Sequence, residues 1–251
     1  MIEFLNEIDT QLFLWLNGPN TPFLDSFMKI FTGRFVWVPM YAALLVMLWR
    51  TVRWPKMIFY VIGVALAVTV TDQVCAHLIR PAVERLRPSN LQNALSSMAY
   101  IVDGYRGGRY GFPSCHAANS FSMAVFMALL VRRHSFSAFI IGWAVLNSYT
   151  RLYLGVHYPG DLFVGMLIGV IVGAGCYWLV RRLFDRHTTQ AQLTWRATAP
   201  MATYAVAAFP TRLLPGVNAV TAGATVGVSA AAMVAVTGIV TIAGIAVAAM
   251  F

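Results

Sequence analysis

Residues 161–180 read DLFVGMLIGVIVGAGCYWLV, a run of 20 residues in which Asp161, at its start, is the one charged side chain. A helix needs about 20 apolar residues to cross the hydrocarbon core of a bilayer. Comparable runs occur at 35–49, 57–78, 121–131 and 137–156, and a sixth, uncharged throughout, at 219–251. The sequence therefore predicts an all-α, polytopic transmembrane helical bundle of about six spans.

The composition of the whole chain also indicates a membrane protein. Of its 251 residues, 59% are hydrophobic and 11% are charged, and the mean hydropathy is +0.69, whereas soluble domains carry about 25% charged residues. We assign the net charge of +9 to loops that orient membrane helices rather than to nucleic-acid binding. Because Cys75 and Cys176 lie in apolar runs and no C-x-x-C or Cys/His cluster occurs in the sequence, neither a zinc site nor a disulfide framework is indicated. We expect no metal and no cofactor. No feature of the sequence indicates an obligate protein partner.

Basic loops predict the orientation of the chain. They follow the first, third and fifth apolar runs and contain Arg50, Arg53 and Lys56, then Arg132 and Arg133, then Arg181, Arg182 and Arg186. With alternating spans these loops share one face, which the positive-inside rule makes cytoplasmic. The opposite face then receives the loop 79–115 and the turn 157–160. We expect an integral membrane protein with this second face on the non-cytoplasmic side of the membrane.

The segments outside the apolar core have different patterns. Near the N-terminus, apolar side chains at Ile2, Leu5, Ile8, Leu12 and Leu16 recur at helical spacing opposite polar ones, which is typical of an interfacial amphipathic helix. We assign residues 1–34 to N-terminal interfacial helices. An ordinary surface helix packed on the bundle is the alternative. The transmembrane core is expected at 35–186, a linker at 187–218 and an Ala/Gly-rich transmembrane segment at 219–251.

Two clusters of polar residues on the second face have the chemistry of an anion site. In RPAVERLRP (80–88) a short helix between the two prolines would point Arg80 and Arg87 the same way, as a clamp for phosphate or carboxylate. A basic turn that holds lipid headgroups is the alternative. In GFPSCHAANSFS (111–122) Ser114 is placed as an N-cap and His116 in the first helical turn, where N–H groups attract an anion. The alternative is a capped helix with a surface histidine.

The third cluster is TRLYLGVHYPGD (150–161). Arg151 lies within an apolar run, where an arginine is a functional hypothesis by default, although a structural ion pair is the alternative. We expect Asp161 to cap the following helix and to reach the imidazole of His157, because a carboxylate fixes the tautomer of a histidine and raises its basicity. Together the three clusters indicate metal-free phosphoryl chemistry.

These motifs resemble those of the type 2 phosphatidic acid phosphatase superfamily, which also includes vanadium-dependent haloperoxidases. The family pattern K-x-x-x-x-x-x-R-P is matched by 80–88, P-S-G-H by 113–116 and S-R-x-x-x-x-x-H-x-x-x-D by 150–161. The resemblance covers roughly residues 20–183. Arg80, Cys115 and Thr150 stand where the family has lysine, glycine and serine.

The resemblance implies a role for each matching residue. His157 attacks phosphorus to give a phosphohistidine, Asp161 orients it, and His116 is the general acid for the leaving oxygen. The phosphoryl oxygens are bound by Arg80, Arg87, Ser114 and Arg151. No metal is implied.

The connecting segment 89–112 is expected to form a lid or headgroup-recognition loop, with a plain connector as the alternative. Its candidate recognition residues, together with Cys115, are Tyr105, Arg106, Arg109 and Tyr110. The resemblance implies a membrane lipid phosphatase, and we expect it to act on undecaprenyl diphosphate or a lipid A phosphate. We expect it in a bacterial inner membrane, with its site at the periplasmic face. The alternatives are a phosphatase of phosphatidylglycerol phosphate or phosphatidic acid, and a non-catalytic lipid-phosphate binder or transporter.

Overall fold

The computed structural model describes residues 2–33, 35–52, 54 and 56–184, and this part of the chain is helical and contains no β-strand. Its α-helices are α1 (Ile2–Asn17), α2 (Pro22–Phe31), α3 (Val38–Thr51), α4 (Lys56–Gln73), α5 (Arg80–Val83), α6 (Cys115–Val131), α7 (His134–Tyr153) and α8 (Pro159–Phe184). A π-helical stretch, Val74–Ile79, joins α4 to α5. The predicted linker 187–218 and C-terminal segment 219–251 lie outside the described residues.

Helix α6 lies at the centre of the bundle, packed against α4, α7 and α8. Its close approach to α8 depends on three glycines spaced four residues apart, Gly165, Gly169 and Gly173. A Cβ atom at any of them would overlap the backbone of α6. Small residues at such spacing let two helices pack at short distance, and this packing places the start of α6 beside the start of α8.

Two continuous helical segments are long and apolar enough to cross a membrane, Lys56–Val83 and Pro159–Phe184. The second of these exposes large apolar side chains such as Ile171 and Trp178. Helices α3 and α6 are apolar but shorter, with 14 and 17 residues. All five apolar runs that the structure describes are helical, and the number of about six spans remains a prediction.

The N-terminal helices α1 and α2 pack against the end of α7 that leads into α8. Phe13 of α1 is buried against Leu152 and Tyr158, and Met28 of α2 is buried in a cluster with Tyr153. Both helices also expose large apolar side chains. Packing on the bundle is thus established for one side of each helix, and an interfacial position for the other side remains a prediction.

The expected helix from Arg80 to Pro88 is wrong beyond Val83. The chain leaves the helix at Glu84, whose φ of 50° is left-handed, and then runs extended. Leu86 pairs with Tyr110 in an antiparallel bridge, flanked by hydrogen bonds from the Arg87 N–H to the Arg109 carbonyl (3.2 Å) and from the Gly111 N–H to the Arg85 carbonyl (2.9 Å). Backbone groups that pair across the connection cannot also make helical bonds, so the helix ends.

Candidate active site

The start of α6 carries the first part of the site. Ser114 is its N-cap, and its Oγ accepts a hydrogen bond from the Ala117 N–H at 3.4 Å. His116 follows in the first turn and is buried. The Ser114 N–H donates to the carbonyl oxygen of Asp161 at 3.0 Å, and this bond fixes the start of α6 to the start of α8.

The second part is a histidine–carboxylate pair between α7 and α8. Nδ1 of His157 lies 3.3 Å from Oδ2 of Asp161, and the two residues are 2% and 0% exposed. The same carboxylate oxygen accepts the Tyr158 N–H at 3.1 Å. The expectation that Asp161 is the cap of α8 is corrected in one respect: α8 begins at Pro159, and Asp161 lies within its first turn with its carboxylate directed back toward residue 158.

Arg87 contacts the other ring nitrogen of His157. Its Nη1 lies 3.2 Å from Nε2 of His157, and its Nε donates to the Tyr110 carbonyl at 3.1 Å. Gly111 lies against this group, because a Cβ there would come within 3.0 Å of Cγ of Arg87 and 3.1 Å of Oδ2 of Asp161. A residue without a side chain therefore lets the connecting segment cross the site closely.

The electrostatic environment keeps His157 neutral. Burial lowers the pKa of His157 well below 6.5, and the positive charges of Arg87, Arg151 and Arg80 lower it further, whereas a backbone hydrogen bond with Gly111 raises it. An imidazole whose Nδ1 faces a carboxylate and whose Nε2 meets an N–H donor carries its proton on Nδ1 and its lone pair on Nε2. Burial also lowers the pKa of Arg87 to about 10, so this guanidinium remains cationic at neutral pH.

A cavity of about 260 Å³ lies beside His116. It is lined by His116, Arg151, Tyr105, Lys29, Thr32, Val102 and Leu154. Nη1 of Arg151 donates to the Thr32 hydroxyl at 3.3 Å and Nη2 to the Tyr105 hydroxyl at 3.2 Å, while its buried Nε has no partner among the described residues. The Arg151 charge lowers the pKa of the Tyr105 phenol. Neither His157 nor Arg87 is among the residues that line the cavity.

Arg80 lies close to the site but is directed toward the start of α6. Its Nη2 donates to the Pro113 carbonyl at 3.2 Å and to Sγ of Cys115 at 2.9 Å. The prediction that Arg80 and Arg87 share one helix face is therefore wrong in its geometry. Their charges nevertheless converge, since both lower the pKa of His157.

The candidate recognition residues separate into two groups. Tyr105 lines the cavity, and Cys115 contacts Arg80. Arg106 donates to the Ser89 carbonyl and to the Ser96 hydroxyl. The backbone carbonyls of Arg109 and Tyr110 accept hydrogen bonds from Arg87. The second group thus holds the connecting segment in shape and does not line the cavity.

Sequence reasoning missed two members of the site, Arg85 and Asp9. Nη1 of Arg85 lies 3.0 Å from Oδ1 of Asp161 and 2.7 Å from Oδ2 of Asp9, and its guanidinium stacks 3.9 Å from the ring centroid of Tyr158. Asp9 also accepts the Gly160 N–H at 2.7 Å. Reading 85–87 as extended would have placed Arg85 and Arg87 on the same side of the backbone, but no local signal identifies Asp9.

Comparisons with known proteins identify the family of the chain. The sequence profile of the PAP2 superfamily matches residues 57–185. The chain is 52% identical over 186 residues to a lipid A 4'-phosphatase of Bacteroides thetaiotaomicron, covering 74% of this chain and 83% of that protein. It is 34% identical over 176 residues to a lipid A 4'-phosphatase of Porphyromonas gingivalis, covering 70% and 74%.

A solved structure has the same fold. The transmembrane PAP2 type phosphatidylglycerolphosphate phosphatase from Bacillus subtilis matches with a TM-score of 0.54 at 18% identity, over 74% of this chain and 89% of that one. The profile match includes all three motifs identified from the sequence. The chain therefore belongs to the PAP2 superfamily.

Proposed function

We propose that the chain is an integral membrane lipid phosphatase that hydrolyses a terminal phosphate from a lipid, with lipid A phosphate or undecaprenyl diphosphate as its substrate. The observation that carries this proposal is the position of the His116–Arg151 cavity next to the buried His157–Asp161 pair. The relatives named lipid A 4'-phosphatase support the choice of a lipid A phosphate.

The reaction that we propose proceeds through a phosphohistidine. Nε2 of His157 attacks phosphorus, while Asp161 holds the Nδ1 proton and stabilises the charge that develops on the ring. His116 gives a proton to the leaving oxygen, and then takes one from the water that hydrolyses the phosphohistidine. Because Arg87 lies against Nε2, it must shift toward the phosphoryl oxygens as the substrate enters.

The positive charge that stabilises the transferring phosphoryl group comes from arginines in this proposal. Arg80, Arg87 and Arg151 are close enough to His157 for their charges to lower its pKa, and Ser114 adds a hydroxyl and the N-terminal end of α6. They take the role that a metal ion has in other phosphatases. The cavity extends past Arg151 to Lys29 and Thr32, and this extension receives the headgroup that leaves.

The position of the site at one end of the bundle suits a substrate whose tail lies in lipid. Exposed apolar side chains on α8 face outward along the same helix that contributes Asp161. We place the protein in the bacterial inner membrane with the site at the periplasmic face, because the basic loops lie at the opposite ends of the helices.

The test is phosphate release by purified full-length protein in detergent. Lipid A, undecaprenyl diphosphate, phosphatidylglycerol phosphate and phosphatidic acid are compared for wild type, His157→Ala and the control His77→Ala, since His77 is exposed on the π-helical stretch. We expect release from lipid A or undecaprenyl diphosphate by wild type and His77→Ala, and none above background by His157→Ala. Phosphate release by His157→Ala equal to that of wild type would contradict the mechanism. Lipid binding by wild type without phosphate release would indicate a lipid-phosphate binder. A preference for phosphatidylglycerol phosphate or phosphatidic acid would overturn the substrate assignment.

A further inference from the structure

Lys29 lies in the wall of the cavity beside the proposed active site, and the phosphatase mechanism assigns it no chemical step. It lines that wall together with His116 and Arg151, and its Nζ is 2.6 Å from Oδ2 of Asp103. It lies outside residues 57–185, the part of the chain that matches the PAP2 superfamily. The motifs of the superfamily therefore do not account for this ammonium group.

The charge of the cavity wall favours a ligand with more than one anionic group. In the proposed mechanism Arg151, together with Arg80 and Arg87, contacts the phosphoryl group that is transferred. Lys29 adds a further cation to the wall, and the described residues that line the cavity include no aspartate or glutamate. A second cation stabilises a leaving group that is itself an anion, whereas it adds little for an uncharged one.

Arg151 and Lys29 adjoin neighbouring points of the cavity. Nη1 of Arg151 donates to the hydroxyl of Thr32, the C-cap of α2, at 3.3 Å. Lys29 precedes Thr32 by three residues, and residues at this spacing lie on the same face of a helix. Two linked phosphates in the cavity could therefore contact the two cations together.

The ion pair with Asp103 leaves Lys29 available to a ligand. The two side chains are 62% and 66% exposed, and exposed ion pairs contribute little stability because water screens them. Helix α2 is held by other contacts, since the hydroxyls of Tyr100 and Tyr153 donate to Asp25 at 2.6 and 2.7 Å. The flexible lysine side chain can thus turn from Asp103 to a phosphate without moving the helix.

We propose that Lys29 is a specificity-determining residue that binds the second phosphate of a lipid diphosphate, and so sets how well the site accepts diphosphates relative to phosphate monoesters. This inference rests on the proposed function. His157 attacks the terminal phosphorus, the bond from that phosphorus to the bridging oxygen breaks with its electron pair on the oxygen, and His116 gives this oxygen a proton. The lipid monophosphate that leaves is still an anion, and the Lys29 ammonium stabilises it.

The experiment compares wild type, Lys29→Gln and Asp103→Asn as purified full-length proteins in detergent. It measures kcat/KM for phosphate release from undecaprenyl diphosphate, whose leaving group is a phosphate, and from lipid A with a single 4'-phosphate, whose leaving group is a sugar hydroxyl. Lys29→Gln should lower the value for the diphosphate about 10-fold, the effect of losing one hydrogen bond to a charged group. Its value for lipid A should change less than about 2-fold, and so should both values of Asp103→Asn, which breaks the same exposed ion pair but keeps the ammonium.

A binding measurement tests the second phosphate site without turnover. Calorimetry on the same proteins compares inorganic pyrophosphate with inorganic phosphate. We expect Lys29→Gln to weaken the binding of pyrophosphate about 10-fold and to leave the binding of phosphate within about 2-fold of wild type.

Several results would overturn the inference. Equal losses for the two lipids in Lys29→Gln, or the same selective loss in Asp103→Asn, would show that Lys29 acts through its ion pair. Unchanged pyrophosphate binding in Lys29→Gln, or a wild type that hydrolyses lipid A but not the diphosphate, would contradict it as well. A wild type that releases phosphate from neither lipid would count against the proposed function instead, and pyrophosphate binding would still decide whether Lys29 forms a second phosphate site.

Discussion

The protonation state and the orientation of His157 depend on what its two ring nitrogens contact. Nδ1 faces a fully buried carboxylate, and Nε2 faces a guanidinium of Arg87. One contact fixes the proton and the other lies where phosphorus would be attacked. Since a histidine so placed is neutral and oriented before any substrate arrives, the residues around it determine its reactivity more than its own chemistry does.

Asp161→Asn should leave the fold intact and lower kcat by about 10⁴-fold. An amide oxygen still accepts the Tyr158 N–H, but it no longer stabilises the imidazolium or selects the tautomer. The measurement is kcat for phosphate release together with a thermal melting curve. Asp103→Asn is the matched control, because Asp103 is exposed and pairs with Lys29. Near-normal turnover of Asp161→Asn would remove this carboxylate from the mechanism.

The pH dependence of kcat/KM should have its acid limb below pH 6.5. Because burial and the neighbouring arginines lower the pKa of His157 below 6.5, the ring remains neutral as the pH falls through that value and is protonated only at lower pH. The pKa of His157 is therefore lower in the folded chain than in the unfolded chain. As the pH falls below 6.5 the unfolded chain binds the proton first, so the fold becomes less stable. An acid limb at or above pH 6.5 would show that His157 is not the titrating group.

Arg85 acts as a positioning residue in this arrangement, because it contacts Asp161 and Asp9 but does not line the cavity. Arg85→Ala should lower kcat at least about 10-fold with little change in KM and reduce the free energy of unfolding by about 3 kcal/mol, since it leaves a buried carboxylate unpaired. Arg85→Lys should recover part of the kcat. Arg109→Ala, at an exposed position, serves as the control, and a change confined to KM would assign Arg85 to substrate binding.

At the scale of elements, the end of α5 shows that backbone hydrogen bonds to a distant segment can end a helix that the sequence pattern predicts to continue. Pro81 and Pro88 bracket a helix in the sequence, yet the chain becomes extended at Glu84. The backbone of 85–87 has partners in 109–111, and these bonds bring Arg87 to His157. A longer helix would have carried Arg87 away from the connecting segment.

The contact between α6 and α8 can be tested with two glycines of one helix. Gly169→Ala should lower the free energy of unfolding by about 1–3 kcal/mol, because the added Cβ overlaps the carbonyl oxygen of Ala118 and forces the helices apart. Gly175→Ala should be neutral or stabilising, since Gly175 is exposed and a Cβ there meets no atom within 4 Å. Thermal or denaturant unfolding in detergent measures both, and equal effects of the two substitutions would contradict the close packing.

At the scale of the whole molecule, the site assembles from opposite parts of the chain. Helix α1 supplies Asp9, α5 and the extended segment after it supply Arg80 and Arg85, the start of α6 supplies His116, and the turn before α8 and the start of α8 supply His157 and Asp161. Every one of these contacts lies at the same end of the bundle. The bundle therefore acts as a frame that holds charged groups where an isolated helix could not.

Activity of the whole enzyme should not depend on a metal ion. Dialysis against EDTA should change phosphate release by less than about 2-fold, because in the proposed mechanism three arginines supply the charge that stabilises the transition state. Orthovanadate, which adopts the geometry of the transferring phosphoryl group, should inhibit strongly. Release that disappears with EDTA and returns with Mg²⁺ would contradict the mechanism.

The helices and the chemical types of the site were predictable from the sequence, because both depend on local pattern. The apolar runs at 57–78 and 161–180 predict helices whatever surrounds them, because the removal of apolar side chains from water favours each run separately. Ser114 was predictable as an N-cap for the same reason: its hydroxyl bonds to an N–H three residues away.

The tertiary structure decided which charges meet. The pairing of Arg85 with Asp9 joins residues 76 positions apart in the chain, and the direction of Arg80 toward Cys115 depends on how α6 packs against α4. Burying a charge is costly unless the charge is paired with one of opposite sign or is hydrogen-bonded, and the fold determines which partner is within reach. The sequence alone contains the charges, and packing brings each to its partner.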